Sequence, residues 1–372
     1  MAPRQKDAGL RTENRDIPPT KTGEPAKLKV TTLGIPTPNR RKFPDGCPIL
    51  KALKGRAGER VNKAVAEACE IDEWNPEMIL LPTDLGFYLG ADLSQAESIC
   101  RAGKLPVMAF SLAKEIPKPA WVTHIVRASW HRGEAEPGNI ICPPVAPGTG
   151  GAEWPPKTDA ARWQPLPKGE IPSVGFCGRT GSEPCRTLWK MIPRAVTRWM
   201  GTKPLLGRTK GFRGLCGAPL RKDALEHLST LAAKGEIKLD ATDRKSVIHR
   251  PSTQGGAKEK FHENLRDNQF SLCSRGSENY SFRFYETLAA GRIPVLIDTG
   301  CILPLEDEID WDRLIVRVPC REIPAIGKKI KDFHGALSPE EFVSLQKEIL
   351  EISEKLRPEN FFPKMLQKLA RH

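Results

Sequence analysis

One short run constrains this chain more than any other: Gly291-Arg292-Ile293-Pro294-Val295-Leu296-Ile297-Asp298. Residues 293–297 are wholly apolar, too short for a stable helix, and bounded by Gly-Arg on one side and Asp-Thr-Gly on the other. A strand with no polar face must be covered on both faces, which is the condition inside a parallel sheet. Parallel strands need crossover connections, usually helices, so this run alone predicts an α/β protein. Its surroundings agree. Residues 270–273 and 314–318 read as strands and 282–290 as the helix between, while 339–356 and 360–370 read as amphipathic helices.

The same alternation fills the first part of the chain. Residues 27–33 read as a strand, followed by a Pro-rich, basic loop. A helix over 60–69 carries Val61, Ala64, Val65, Ala68 and Cys69 on one face. Strands follow at 78–81, 105–110, 121–126 and 140–142, with a helix over 92–100. Residues 143–172 are dense in Pro, Gly and Trp and have no period, so they read as a linker. A strand at 171–176 then opens the second pattern, with a helix from Glu183. The expected divisions are a disordered tail at 1–26, an α/β domain at 27–145, a linker at 146–170, a second α/β domain at 171–340 and terminal helices at 341–372. Ligands of such folds bind at the carboxyl ends of the strands.

Composition excludes several classes. No apolar run approaches the ~18 residues a membrane helix requires. The opening MAPRQKDAGL lacks the apolar core of a secretory leader, so a cytoplasmic protein is expected. Ten cysteines form no C-x-x-C pair and the seven histidines do not cluster with them, which argues against zinc and against a disulfide framework. Lys and Arg outnumber Asp and Glu by 58 to 45, giving +13. Such a charge favours an anionic partner: nucleic acid, a phosphorylated small molecule, an acidic glycan or a membrane surface met peripherally. Residues 187–222 hold nine basic and no acidic residues, with Trp189 and Trp199 interleaved. That block reads as a solvated basic face, or as the binding surface of a non-catalytic protein for nucleic acid or acidic glycan.

Chemistry concentrates at 270–318. A short strand runs into Ser274-Arg275-Gly276-Ser277, and Asn279-Tyr280-Ser281 leads into a helix. Small residues leave backbone N–H groups open, and a helix start adds donors and partial positive charge, which together suit a diphosphate. Arg275 and Arg283 flank the turn and can fork onto phosphate oxygens. Glu286 can accept two hydrogen bonds from a ribose diol. The spacing of Arg283 and Glu286, i and i+3, equally suits a solvated ion pair.

These residues carry a resemblance. The run SRG…SFRFYETLAAGRIPVLI…LPLEDEIDW resembles the nucleotide-sugar-binding half of the exostosin family of glycosyltransferases. The matching positions are Arg275, Gly276, Ser281, Phe282, Arg283, Glu286, Leu288, Pro294, Val295, Leu303, Pro304, Ile309 and Trp311. Residues 173–179 (SVGFCGR) resemble the strand that enters the family's donor domain, which implies that Arg179 reaches the diphosphate from the facing loop. Residues 124–133 (HIVRASWHRG) weakly resemble a family segment containing His-Asp-Trp-Gly; here the Asp is absent and His131 follows the Trp. The resemblance implies a GT-B fold, two Rossmann-like domains facing across a cleft. It implies inverting transfer from a nucleotide-diphosphate sugar to a glycan or other hydroxyl acceptor, which the net charge allows to be anionic. It also implies donor contacts from Arg179, Arg275, Gly276, Ser281, Phe282, Arg283 and Glu286, and a base on the first domain, for which the candidates are His131 and Asp84. Asp310-Trp311-Asp312 forms a D-x-D triplet, but it follows a Leu-Pro loop instead of a nucleotide strand, so Trp311 is expected to pack and no metal is expected to be required. Asn279-Tyr280-Ser281 is a glycosylation sequon whose glycan would block the donor turn, in keeping with a cytoplasmic location.

Overall fold

A computed structural model describes residues 27–35, 47–57, 59–88, 91–112, 116–144, 164–178, 180, 196, 217–243, 256–276 and 278–370. Eleven strands form two sheets among the described residues. β1 (Leu28–Thr31), β2 (Cys69–Ile71), β3 (Met78–Asp84), β4 (Val107–Ser111), β5 (His124–Arg127) and β6 (Asn139–Ile141) make the first, in the order β2-β1-β3-β4-β5-β6. β7 (Ser173–Gly178), β8 (Lys238–Asp243), β9 (Phe270–Ser274), β10 (Ile293–Asp298) and β11 (Val316–Pro319) make the second, in the order β11-β10-β9-β7-β8. Every neighbouring pair is parallel.

Counted from its own first strand, the second sheet has the order 2-1-3-4-5, and the first has the same order with a sixth strand added. In each, the chain leaves the first strand toward one edge and the third toward the other. A crevice therefore opens at their carboxyl ends. The loop leaving the carboxyl end of β5 meets the loop leaving the carboxyl end of β10: Arg132 N donates to Gly300 O (2.7 Å) and Ile302 N to Trp130 O (3.2 Å). The two sheets thus face one another across a cleft, the GT-B arrangement the family resemblance implied.

The apolar run that opened the sequence reading is β10, buried from Ile293 to Ile297. Each buried side chain of this kind contributes about 1.5–3 kcal/mol. β3 shows how the first sheet is covered. Leu80 faces the cluster of Val61 and Val65 on the helix Glu59–Ala68, whereas Ile79 and Leu81 face Ala96 and Cys100 on the helix Ala91–Gly103. The helix Pro339–Lys355 packs against Phe282–Ala289 and sets Phe342 beside Phe270 at 6.0 Å. Gly291 lies between them with φ +62°, and a Cβ there would come within 2.9 Å of Leu350 Cγ, so only glycine lets the chain turn under this helix. The last helix, Pro358–Leu369, crosses back to the first sheet, where Phe362 meets Phe110 at 6.4 Å. The two terminal helices therefore serve different sheets.

The described end of the proline-rich stretch is tied to the second sheet. Leu166 exchanges bonds with Gln346 (2.9 and 2.7 Å), and Gln164 O accepts from Arg292 (3.0 Å). Arg292 is 1% exposed and also donates to the carbonyls of Leu265, Arg266 and Ala290. Burial pushes its pKa down to about 10.

Candidate active site

The crevice of the second sheet lies between the ends of β7 and β9. The turn that follows β9 holds most of the residues singled out from sequence. Arg275 is 4% exposed, and with Asn279, Ser281 and Thr299 it lines a cavity of about 10 Å³, room for one water. Ser281 precedes the helix Phe282–Ala289 in extended conformation, and its hydroxyl makes no capping bond. Phe282 is exposed at the first helical position, its ring edge-on to Tyr280 at 5.2 Å.

Arg283 spans the crevice. One Nη donates to Cys177 O at the end of β7 (2.5 Å), its Nε lies 3.4 Å from Glu286, and its guanidinium stacks 3.9 Å over the Phe261 ring. The contact with Glu286 is the i, i+3 pair the spacing allowed, and it is half-buried instead of solvated. Burial raises the Glu286 pKa above its ordinary range, and the charge of Arg283 pulls it partly back. A carboxylate and a guanidinium thus sit together at the switch point, in surroundings that strengthen their interactions with a polar ligand.

Three expectations need correction. The small residues of the turn predict open N–H groups, but Gly276 N donates to Tyr280 O (3.0 Å) and closes the turn on itself. A Cβ at Gly276 would meet nothing, so the position does not demand glycine. Asp84, a candidate base, is 2% exposed, and both of its oxygens accept backbone N–H groups, from Gly86 (2.8 Å) and Leu112 (2.5 Å). It ties β3 to the chain after β4. His131, the other candidate, pairs with Cys301 across the domain junction. Its Nδ1 accepts from Gly133 N (3.3 Å), which puts the proton of a neutral ring on Nε2, and Nε2 is buried. Gly300, with φ +77°, lies under the ring so closely that a Cβ would come within 2.7 Å of Cε1. Neither residue is presented as a proton acceptor.

Arg179 and most of the basic block 187–222 lie outside the described residues. Trp311 packs as expected, buried with its indole N–H donating to Pro304 O (2.9 Å), while Asp312 is exposed and paired with Arg317 (2.6 Å). Sequence reasoning missed Phe261 and the Cys177 carbonyl, which also meet the Arg283 guanidinium. It also missed Thr299, whose hydroxyl donates to Asn279 (2.5 Å).

Comparison with known proteins falls on the same region. Residues 209–332, which hold β8 to β11 and the turn, match the model of the Exostosin GT47 domain. Over 141 residues the chain is 28% identical to a probable glycosyltransferase of Arabidopsis thaliana, covering 38% of this chain and 24% of that one. Over 71 residues it is 44% identical to Exostosin-1 of Drosophila melanogaster, covering 16% of this chain and 9% of that one. The matched stretch is thus 24% or less of either relative's length. A glycosyltransferase from Rickettsia africae ESF-5 is similar at a TM-score of 0.39 with 10% identity, over 92% of this chain and 97% of that one. Residues 209–332, with Arg275, Ser281, Arg283 and Glu286 on the β9 turn and helix, are thus the part of this chain that is similar to the Exostosin GT47 domain.

Proposed function

We propose that the protein transfers a sugar from a nucleotide-diphosphate sugar to a hydroxyl of a glycan or other acceptor, with inversion at the anomeric carbon. One observation carries the reading: the family-matched stretch 209–332 contains the switch-point turn where Arg275, Ser281, Arg283 and Glu286 gather. The donor lies in that crevice with its diphosphate at the start of the helix Phe282–Ala289. Arg283 exchanges its contact with Glu286 for phosphate oxygens, and Glu286 accepts from the ribose diol. The acceptor oxygen attacks the anomeric carbon and loses its proton to a base of the first domain. The bond from that carbon to the diphosphate breaks, and the helix start and the guanidinium stabilise the departing charge. No metal or other cofactor is required for this charge balance. Inversion is the outcome the family resemblance implies.

The test is a thermal-shift series of the full chain with UDP, GDP and ADP, followed by hydrolysis of the matching nucleotide sugar. One nucleoside diphosphate is expected to raise the melting temperature. Arg283→Ala is expected to lower turnover about 100-fold or more. A protein that responds to none of the three, or an Arg283→Ala variant with wild-type turnover, would remove the donor assignment.

A further inference from the structure

The domain junction holds an ion pair with no place in the donor site. Arg132, in the loop leaving β5, grips Glu306 of the second unit with two nitrogens, Nη1 to Oε2 at 2.8 Å and Nη2 to Oε1 at 2.7 Å. Nη2 also donates to Cys301 O (3.2 Å). Glu306 is held for this contact, since its Oε1 accepts from Leu303 N (2.9 Å). Three other acids of the run, Asp307, Glu308 and Asp312, pair elsewhere. Asp307 pairs with Lys368 (2.6 Å) and Glu308 with Lys364, both on the helix that crosses back to the first sheet. Asp312 and Asp298 share Arg317. Glu306 is therefore the member of the run that reaches the first unit directly.

The local backbone contacts beside it are few. Two main-chain bonds join the loops, one of them at 3.2 Å, next to Gly300 beneath the His131 ring. Asp298 Oδ1 accepts from Gly300 N (2.8 Å) and Cys301 N (3.1 Å), which fixes the loop at the end of β10 but not the loop it meets. A bidentate guanidinium–carboxylate pair supplies what two backbone bonds lack, a fixed orientation as well as a fixed distance. Arg132 is half-exposed, so the pair adds little to folding stability.

We propose that Arg132 and Glu306 are a positioning pair, an interdomain clamp that holds the two units at the separation sugar transfer needs. Its role in turnover rests on the glycosyltransfer reading; its role in geometry does not. Donor contacts lie on the second unit, and the acceptor and its base lie on the first. A shift of the junction moves reacting atoms apart without touching either binding site, and a misplacement of about 1 Å can cost about 100-fold in rate.

The experiment compares Arg132→Glu, Glu306→Arg and the double swap in the full chain. Small-angle scattering is expected to show a larger radius of gyration for each single reversal and the wild-type value for the swap. Melting temperatures should stay close together, because a half-exposed pair contributes little to stability. Donor hydrolysis should fall about tenfold or more in the single reversals, with nucleotide binding unchanged, and recover in the swap. Scattering profiles that do not change on reversal would overturn the clamp. Profiles that open while turnover holds would overturn its part in transfer. If the wild-type chain hydrolyses no nucleotide sugar, the glycosyltransfer reading falls, and the scattering series still decides whether the clamp exists.

Discussion

In the first sheet the third strand ends on Asp84, and in the second the equivalent strand, β9, ends on Ser274, with Arg275 next in the chain. Both strands flank a switch point of the same topology. What fills the two crevices differs. Asp84 spends both oxygens on backbone N–H groups. Thr31, at the end of β1, accepts from Leu33 N (3.0 Å) and donates to Glu73, so the first crevice is closed by its own side chains. In the second, Arg283 and Glu286 hold each other through one 3.4 Å contact, and burial resists the charge on Glu286. One fold, built twice, has used its polar groups for structure in one half and kept a charged pair at the switch point in the other.

Variants can break that comparison. The largest effect belongs to a buried group with no ligand role. Arg292→Ala leaves the carbonyls of Leu265, Arg266, Ala290 and Gln164 without this donor in the core of the second half, and each unsatisfied acceptor costs about 1–3 kcal/mol. A urea midpoint close to wild type would show that water replaces the guanidinium freely. The next pair tests the asymmetry itself. Asp84→Ala strands two backbone donors and should cost about 2–4 kcal/mol while the response to nucleoside diphosphates survives. Glu286→Gln should do the reverse. It replaces a desolvated carboxylate with a neutral amide, so stability should hold within about 1 kcal/mol while nucleotide binding is lost. The contrast would collapse if Asp84→Ala melted like wild type, or if Glu286→Gln still bound nucleotide.

Where burial leaves a pattern, the sequence reading and the structure agree. β10, β9, β3 and β4 are apolar runs, and the helix Glu59–Ala68 shows its apolar face in its spacing. Edge elements leave no such mark. β2 buries only Cys69, and β8 (KLDATD) is polar; pairing with β1 and β7 makes them strands, and no local signal announces it. The helix Pro48–Leu53 looks like loop in sequence because six residues opening on a proline show too little period, although Ile49, Leu50 and Ala52 are buried. The helices Gly217–Ala233 and Gly256–Asp267 likewise give no clear signal, and the second carries Phe261, the ring under Arg283. At the site, residue types were legible but their bonds were not. Arg275, Ser281, Arg283 and Glu286 stand around one turn, yet a sequence cannot show that Gly276 N–H is already taken, or that Asp84 ties two strands together. A carboxylate at a strand end looks the same whether it awaits a proton or holds two backbone amides.

The smallest expected effect separates the halves by pH. His334, on the helix Ile326–Ala336 of the second half, is buried between the rings of Phe270 (6.2 Å) and Phe342 (5.7 Å). Burial lowers its pKa from the ordinary value near 6.5, the Lys168 charge lowers it further, and a bond with the Gly169 backbone opposes both. A lowered histidine pKa means the unfolded chain takes a proton that the folded chain refuses. The stability of the second half is therefore complete above pH ~6.5 and falls as pH drops below it, by at most about 1.4 kcal/mol per pH unit. The carboxylates with lowered pKa values, Asp72, Glu236, Asp307 and Glu322, act in a lower window, below their ordinary range near pH 4, where protonation costs them their partners. Urea midpoints between pH 5 and 7 lie above the window of those carboxylates, and the variant separates His334 from Glu286, whose raised pKa acts there with the opposite sign. The midpoints should decline toward pH 5 in the wild type and flatten in His334→Gln, whose amide carries no titrating proton. A decline of equal slope in that variant would assign the acid sensitivity to another group and leave His334 as packing alone.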